Sequence, residues 1–381
     1  MFWWHFEKNS LVTMNNFNKY KYLSKIDSPA DLKHVPVADL SVVCDEVRDF
    51  MIETITQTGG HFGSGLGAVE LITALHYVYD TPKDKIVFDV GHQSYPHKIL
   101  TGRKELLHTI RKQGGISGFL KPAESEYDAF GAGHASTSIS AALGMATARD
   151  LTGDKYRVLA VIGDGAMTGG MAYEALNNCG VQARDITVIL NDNNVSIDVN
   201  VSAMSKYFNN LLSSQPMQKM RENIWQLTGK METFGDRIRK AASRLEGGVK
   251  AIITPGILFE AFGFNYFGPI DGHNVQQLVR FLRKIKDMHG PLLLHVMTNK
   301  GQGYLPAEHD IYHMHAIEKI DVATGKSIPT PGEKRPPKYS KVFGTAMLQL
   351  ARENPKIVGI TAAMGDGTGL DDLAKELPKQ Y

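Results

Sequence analysis

The sequence predicts an α/β fold built on a parallel sheet, and two patterns carry this prediction. Four short runs, rich in aliphatic and β-branched residues and bounded by glycine or charge, are typical of buried parallel strands: 85–91, 157–163, 185–192 and 291–298. Helical patterns alternate with these runs, for example at 68–80 and 136–153. Such alternation predicts right-handed crossovers with helices on both faces of the sheet.

Composition narrows the class of protein. The chain has 381 residues, of which 43% are hydrophobic, enough for one large α/β domain and part of another. The formal net charge of +2 gives no strong basic stripe, so we expect no nucleic-acid partner. Cys44 and Cys179 are the only cysteines, which favours a reducing cytoplasm over a disulfide scaffold. No apolar run reaches the roughly eighteen residues that span a bilayer, so we expect no membrane segment.

The order of the patterns predicts the domain organisation. The last part of the chain offers one helix (339–354) and one strand (356–364), too little to bury a core of its own. We therefore expect a flexible N-terminal tail at 1–22, a main domain at 23–320 with a helical excursion at 196–250, a Pro- and Gly-rich linker at 321–337, and the incomplete start of a second α/β domain at 338–381.

A carboxylate flanked by two glycines follows the second predicted strand directly. Ligands of open parallel sheets bind beyond the carboxyl ends of the strands, where Gly163, Asp164 and Gly165 fall. The helix that follows suits a phosphate, yet a carboxylate would repel that anion. A divalent cation between them resolves the conflict, and Mg²⁺ commonly binds one or two protein oxygens together with phosphate.

A second group of oxygen ligands is expected at the end of the next strand. Residues 191–194 read Asn-Asp-Asn-Asn, and residues 166–191, the length of one helix and one strand, lie between Gly165 and Asp192. The spacing favours a diphosphate–Mg²⁺ site. A surface turn uses the same Gly-Asp-Gly residues, and this alternative stays open.

Five longer motifs carry a resemblance to a known family: GGHFGSGLGAVELITALHYVYDTPKDKIVFDVGHQSYPHKILTGR (59–103), GHASTSISAALGMA (133–146), GDGAMTGGMAYEALNN (163–178), YFGPIDGH (266–273) and NKGQGYLPAE (299–308). With these motifs, the chain resembles the 1-deoxy-D-xylulose-5-phosphate synthases among the thiamine diphosphate enzymes, rather than the transketolases, from about Leu23 onward.

The resemblance implies a transferase in a parallel-sheet, thiamine diphosphate-binding fold. Its reaction would condense pyruvate with D-glyceraldehyde 3-phosphate, with loss of CO₂, and feed the biosynthesis of isoprenoids by the non-mevalonate route and of thiamine and pyridoxal. Thiamine diphosphate and Mg²⁺ would be the cofactors, and the protein would supply binding, orientation and charge. A homodimer is implied as well.

The resemblance also assigns roles by position. The implied metal ligands are Asp164, Asn193 and the Val195 carbonyl. The implied cofactor contacts are His92, Gly133, His134, Ala135, Gly165, Ala166, Asn193, Lys300 and Tyr304. The implied catalytic residues are His61, His92 and His315, because an imidazole can move protons or stabilise a developing alkoxide.

Other polar residues in these motifs have simpler interpretations. A lone histidine in a glycine-rich loop, such as His61, is usually just polar, and Lys300 could be an ordinary solvated lysine. His97 and His313 are expected to be structural. Asp271 is expected to form a turn and to cap a helix over 275–288.

The residues that activate the cofactor are expected elsewhere. In the family a glutamate in an Ala-Glu-Gln-His motif does so, and the 381 residues do not contain that motif. Asp366 is not assigned this role. Three hypotheses follow: an N-terminal portion or half-enzyme that works with another copy or a second polypeptide and is inactive alone, a transketolase-like N-terminal subunit, or a non-catalytic cofactor-binding paralogue.

Overall fold

The structure is a computed structural model that describes residues 17–131, 133–193, 256–310, 314–328, 336–362 and 364–381. The predicted helical excursion at 196–250, the Val195 carbonyl and His313 lie outside the described residues.

Helices and strands alternate along the first half of the chain. The elements are α1 (Pro29–Leu32), α2 (Leu40–Thr58), β1 (Gly60–His61), α3 (Gly63–Gly67), α4 (Val69–Val78), β2 (Lys85–Phe88), α5 (Tyr95–Lys98), α6 (Ser138–Thr152), β3 (Val158–Gly163), α7 (Asp164–Met167), α8 (Gly170–Gln182) and β4 (Ile186–Asp192). Short 3₁₀ or π-helical turns occur at Phe17–Lys19, Leu23–Lys25, Val37–Asp39, Ile99–Arg103 and Lys104–Thr109.

The alternation continues in the second half. The elements are α9 (Gly256–Ala261), β5 (Asn265–Asp271), α10 (Val275–Ile285), β6 (Pro291–Met297), α11 (Leu305–Glu308), β7 (Ala316–Ile317), α12 (Tyr339–Glu353), α13 (Gly365–Thr368) and α14 (Asp371–Glu376), followed by a 3₁₀ turn at Pro378–Gln380. Across the described ranges, every helix is too short or too polar to cross a bilayer.

Five strands form one parallel sheet in the order β2-β3-β4-β6-β5, which confirms the predicted fold class. The four strands predicted for the main domain are all present. The edge strand β5 was not predicted, because Gly268 and Pro269 interrupt its apolar pattern and the ladder shifts register between Phe267 and Ile270. A separate antiparallel pair joins β1 to β7.

Alternate residues of each strand pack on opposite faces of the sheet, as the strand period of two requires. On β3, Val158, Ala160 and Ile162 join a core with α6, α8 and α9. Leu159 and Val161 join the other core, with α2, α4 and α10. Each fully buried aliphatic side chain of this size stabilises the fold by about 1.5–3 kcal/mol. The two cores hold the carboxyl ends of the strands rigidly at one edge.

The helix after β5 begins at a different residue from the one expected. The side chain of Asn274, not Asp271, accepts the N–H of Gln277 at 2.9 Å and caps α10. Asp271 ends β5, and its carboxylate accepts the N–H of His273 at 2.9 Å. The expected turn at Asp271 is therefore present and the expected cap is wrong. The helix also ends earlier, at Ile285 rather than residue 288.

The strand predicted at 356–364 is wrong for the residues described there. The N–H of Gly359 donates to the carbonyl of Gln380 at 2.7 Å, and the segment has no strand partner in the described part of the chain. An apolar run becomes a strand only when a neighbour completes the ladder. Val358 and Ile360 are 54% and 91% exposed as a result.

Residues 17–22 are not a free tail. The N–H groups of Lys21 and Tyr22 donate to the carboxylate of Glu46 on α2, at 2.7 and 3.0 Å. The ring of Phe17 lies 5.1 Å from that of Phe50. The expectation of flexibility is therefore wrong for this part of 1–22, and residues 1–16 lie outside the described ranges.

Candidate active site at the carboxyl edge of the sheet

The strand register brings several polar side chains to one edge of the sheet. Gly163 pairs with Asn191, and Asp192 pairs with Met297. The residues that follow β3, β4 and β6 therefore leave the sheet at the same level. Sequence reasoning placed the site at this edge, and the residues it selected there are next to one another.

Asp164 is a buried carboxyl group with a raised pKa. It follows β3 directly and is 8% exposed. Burial, and then the charge of Asp192, raise its pKa to about 7, although the backbone N–H groups of Asn193 and Gly165 oppose the shift. The protein therefore concentrates negative charge here that a cation would neutralise.

The side chains at the end of β4 point to different partners. The carboxylate of Asp192 lies 2.9 Å from Nε2 of His295, whose Nδ1 lies 2.8 Å from the hydroxyl of Tyr266. The amide oxygen of Asn191 accepts the hydroxyl of Thr298 at 2.7 Å. These two side chains are therefore engaged along the sheet.

Asn193 comes after β4 and is half-buried, and its backbone N–H contributes to the environment of Asp164. The donor set fits Mg²⁺, because it contains one buried carboxylate and a neighbouring amide side chain. No group of three or more His, Cys, Asp or Glu residues that could hold a metal ion occurs among the described residues. The described residues therefore contain no site of the kind that binds a metal through several nitrogen or sulfur ligands. One carboxylate with amide oxygens is compatible with Mg²⁺.

Three predicted histidines converge although they are far apart in the chain. The ring centroids of His61 and His315 are 5.7 Å apart, those of His92 and His315 are 5.4 Å apart, and those of His61 and His92 are 6.1 Å apart. The β1–β7 pair causes this convergence, because His61 pairs with Ala316. The ring of Phe119 lies 5.1 Å from that of His61 and closes one side of the cluster.

The histidine cluster is neutral. Burial, and then the charge of Arg111, lower the pKa of His61 to about 4. Burial, and then the charge of Lys300, lower that of His315 to about 3, and the pKa of His92 is also well below its ordinary value because of burial. The Nδ1 atom of each ring is buried without a hydrogen-bond partner among the described residues. Buried ring nitrogens without a protein hydrogen-bond partner are consistent with a site that binds a polar ligand.

The backbone is strained where His92 leaves the sheet. Val90 has φ 59° and Gly91 has φ 92°, so the chain turns sharply after β2. A positive φ at a β-branched residue is a genuine outlier, and such residues persist only where the surrounding structure holds them. The strain lies directly before His92.

The loop with Gly133, His134 and Ala135 is exposed and tied to the same edge. The carboxylate of Asp89 accepts the N–H groups of Ser136 and Ser138, at 2.8 and 3.0 Å. The hydroxyl of Ser136 donates to the carbonyl of Ala166 at 2.6 Å, which links the loop to the Gly165–Ala166 turn.

Lys300 and Tyr304 differ in their surroundings. Lys300 is 4% exposed, and burial lowers its pKa to about 8 against the opposing charges of Asp164 and Asp310. The ring of Tyr304 packs on Phe62, 5.4 Å between centroids, and its hydroxyl donates to the carbonyl of Val322 at 2.9 Å. Lys300 is therefore a buried cation beside the carboxyl edge, not an ordinary solvated lysine.

His97 is structural, as expected. Its Nδ1 lies 2.9 Å from Nε2 of His76, and its Nε2 lies 3.0 Å from Asp128, which Arg103 also binds. Burial lowers the pKa of His97 to about 4. This network stabilises the segment after α5.

Sequence reasoning missed Asp89 and Arg111 as contributors to the site. Asp89 could have been found, because it is a carboxylate at a strand end, as Asp164 is. Arg111 has φ 64° and acts on the His61 ring by its charge, and nothing in its sequence context indicates this.

A family model and the curated relatives carry the same family name. A family model described as 1-deoxy-D-xylulose-5-phosphate synthase matches residues 23–298. The 1-deoxy-D-xylulose-5-phosphate synthase of Chlorobaculum tepidum is 49% identical over 363 residues, which cover 95% of this chain and 57% of that protein. The synthase of Natranaerobius thermophilus is 50% identical over 361 residues, with the same coverage of both. The chain thus spans little more than half the length of the curated relatives it matches.

Solved structures are similar in fold. A transketolase from Campylobacter jejuni aligns with a TM-score of 0.54 and 18% identity, covering 90% of this chain and 48% of that one. A transketolase from Pichia stipitis aligns with a TM-score of 0.50 and 15% identity, covering 71% and 37%. Likeness at this level of identity shows the fold alone.

Proposed function

The chain belongs to the 1-deoxy-D-xylulose-5-phosphate synthase family, and from this premise we propose that it supplies the diphosphate- and Mg²⁺-binding part of such a synthase. The reaction is the condensation of pyruvate with D-glyceraldehyde 3-phosphate, with loss of CO₂. When bound, thiamine diphosphate supplies the electron sink for breaking and forming the carbon–carbon bonds.

The observation that carries the proposal is the buried, charge-crowded Asp164 at the carboxyl edge, with Lys300 beside it. Asp164 and the Asn193 side chain would hold Mg²⁺, with the Val195 carbonyl as the third protein ligand. Gly165 and Ala166 would line the diphosphate through their N–H groups. Lys300 would offset the remaining phosphate charge from its buried position.

The histidine cluster would act through hydrogen bonds. At neutral pH, the lowered pKa values leave the rings of His61 and His315 neutral, so each keeps one N–H that can donate a hydrogen bond and stabilise a developing alkoxide. The buried Nδ1 atoms of His61, His92 and His315 are available for polar groups of a ligand. The rings of Phe119 and Tyr95 flank His61.

The remaining cofactor contacts are proposed from their position beside the same edge. Gly133, His134 and Ala135 lie in a loop bound to Asp89 at the same edge, which supports contact with the cofactor. The hydroxyl of Tyr304 is bonded to Val322, so its contribution would come through packing on Phe62 beside the histidine cluster.

The domain boundaries also remain proposals. The main cores include residues up to Ile320, whereas Leu348, Ala351, Leu370 and Leu373 form a separate cluster of four buried side chains, too small for a domain core. This separation supports a main domain at 23–320, a linker at 321–337 and a second unit from 338.

We propose a partner that completes the second unit, either another copy of the chain in a homodimer or a second polypeptide. Exposed apolar side chains on α12 support this, including Tyr339 at 96% and Val342 at 53%. The free, buried Cys44 and Cys179 support a cytoplasmic location.

The experiment is CO₂ release from pyruvate by the full chain with thiamine diphosphate, Mg²⁺ and D-glyceraldehyde 3-phosphate. The chain alone is expected to give none, because the Ala-Glu-Gln-His motif is not among its residues. Mixing it with a second polypeptide that carries that motif is expected to restore release. Full activity of the chain alone would overturn the half-enzyme proposal. Release that stays absent when the mixture forms a complex would favour the non-catalytic hypothesis.

A further inference from the structure

His273 lies between β5 and α10, and both nitrogens of its ring are bonded to other elements. Its Nδ1 lies 3.2 Å from Oε2 of Glu70 on α4. Its Nε2 accepts the backbone N–H of Asn299 at 2.8 Å. Because an amide N–H can only donate, Nε2 carries no proton, and the proton on Nδ1 is donated to Glu70. The ring is thus a bridge between two elements and has no nitrogen left for a ligand.

Glu70 is the fixed end of this bridge. It is 7% exposed and forms an ion pair with Arg48 on α2. Burial raises the pKa of Glu70, but the hydrogen bond from His273 and the charge of Arg48 outweigh burial and hold the pKa below its ordinary value. Arg48 is in turn 3.2 Å from Asp45. The carboxylate is therefore ionised and held in place.

Asn299 is the other end, and its backbone has little room to move. Its carbonyl approaches Gly67 of α3 so closely that a Cβ there would lie 2.7 Å from the oxygen. Two residues later, the N–H of Gly301 donates to the carbonyl of Gly63 at 2.8 Å. The turn after β6 is therefore seated on the glycine-rich helix α3.

The opposite side of this turn rests on Arg48. A Cβ at Gly303 would lie 2.4 Å from Cδ of Arg48, so that position requires glycine or a shift of the arginine. Lys300 lies between these two supports and is 4% exposed. The same ion pair thus supports the turn in two ways: Arg48 packs at Gly303, and Glu70 binds His273, which accepts the N–H of Asn299.

We propose that His273 is a positioning residue for Lys300. Its two hydrogen bonds hold the backbone of Asn299 in place relative to the Glu70–Arg48 ion pair. The neighbouring Lys300 is thereby held beside the carboxyl edge of the sheet. The role of Lys300 toward a diphosphate rests on the proposed function. The link from His273 to Asn299 does not.

The test compares two substitutions that each keep one half of the bridge. His273→Asn places an amide near the Nδ1 position, so it can still reach Glu70 and loses the acceptor for Asn299. His273→Gln places its oxygen near the Nε2 position and keeps that acceptor. His289→Asn is the matched control, since His289 is 83% exposed, contacts Asp185 and precedes β6 at the opposite end of the strand.

The first readout is hydrogen exchange of the Asn299 amide, localised by mass spectrometry on the full chain without cofactor. His273→Asn is expected to raise the exchange rate about tenfold, because one hydrogen bond is lost. His273→Gln is expected to stay within about threefold of wild type, and His289→Asn to match it. An unchanged rate in His273→Asn would overturn the proposal, as would equal increases in both His273 variants.

Glu70→Gln provides a second test of the bridge if the His273→Asn variant does not fold. It keeps the size of the side chain and removes its charge, so the Asn299 amide is expected to exchange faster while amides inside β6 do not. An Asn299 rate equal to wild type in Glu70→Gln would contradict the bridge. A uniform increase throughout β6 would also contradict it, because that result means general destabilisation.

The second readout is calorimetric binding of thiamine diphosphate and of thiamine monophosphate with Mg²⁺. His273→Asn is expected to reduce the ratio of the affinity for thiamine diphosphate to that for thiamine monophosphate about tenfold. A loss of stability alone would weaken the binding of both compounds equally. An unchanged affinity ratio would show that His273 does not position Lys300 for the diphosphate. If the wild-type chain binds neither compound, the proposed function fails, and hydrogen exchange still decides the role of His273.

Discussion

Asp164 and Asp192 stand at the ends of adjacent parallel strands, and burial together with the charge of Asp192 raises the pKa of Asp164 to about 7. Their crowding is the feature of the molecule from which the proposed cation site follows. It has a consequence for the stability of the metal-free chain.

Stability without metal is expected to fall as pH rises through this range. The ordinary pKa of an aspartate is 3.8, so between pH 3.8 and about 7 the folded chain keeps a proton on Asp164 that the unfolded chain has released. The contribution of this group is therefore fully present below pH 3.8 and is lost toward pH 7. Asp164→Asn removes the effect.

The measurement is urea unfolding in EDTA between pH 4.5 and 7.5. The free energy of unfolding of wild type, relative to Asp164→Asn, is expected to drop by roughly 1–4 kcal/mol over this range. Parallel pH profiles for the two proteins would contradict the raised pKa.

The histidine cluster is expected to stay neutral under mildly acidic conditions. The pKa values of His61 and His315, about 4 and about 3, lie below the ordinary 6.5. These rings therefore contribute stability that is present above pH 6.5 and lost as pH falls toward 4. NMR of histidine-labelled protein, assigned with His61→Gln and His315→Gln, should show constant ring shifts from pH 5.5 to 8. The urea-unfolded chain is the reference, and a folded-state midpoint above pH 6 would refute the expectation.

Two glycine-to-alanine substitutions in helices are expected to act in opposite directions. Gly67→Ala places a Cβ 2.7 Å from the Asn299 carbonyl and should destabilise the chain by about 1–3 kcal/mol. Gly144→Ala on α6 meets nothing within 4 Å and should stabilise it by about 0.5–1 kcal/mol. The measurement is the free energy of unfolding in urea for both variants. Equal changes would show that the structure accommodates a Cβ at Gly67 without loss of stability.

Most of the sheet could be predicted from the sequence. The strands β2, β3, β4 and β6 are buried on both faces, so their residues are continuously aliphatic. The edge strand β5 could not be found in this way, because it contains Gly268 and Pro269 and is only partly buried. The strand expected at 356–364 is absent although its residues are apolar, since no strand among the described residues lies beside it.

The candidate site divides in a similar manner. The position of Asp164 at the carboxyl edge of the sheet could be predicted, because it directly follows a strand with a clear aliphatic pattern. The gathering of His61, His92 and His315 depends on the β1–β7 pair, a long-range contact that local pattern does not encode. The bridge through His273 was missed because its sequence context indicates a turn and nothing more.

The most direct test of the account is equilibrium binding of thiamine diphosphate to the full chain by calorimetry, with Mg²⁺ and with EDTA. Binding is expected to require Mg²⁺ and to weaken at least about tenfold in Asp164→Asn. The exposed Asp154→Asn serves as the matched control and should bind as wild type does. Binding that persists in EDTA, or that is equal in wild type and Asp164→Asn, would contradict a diphosphate–Mg²⁺ site at Asp164.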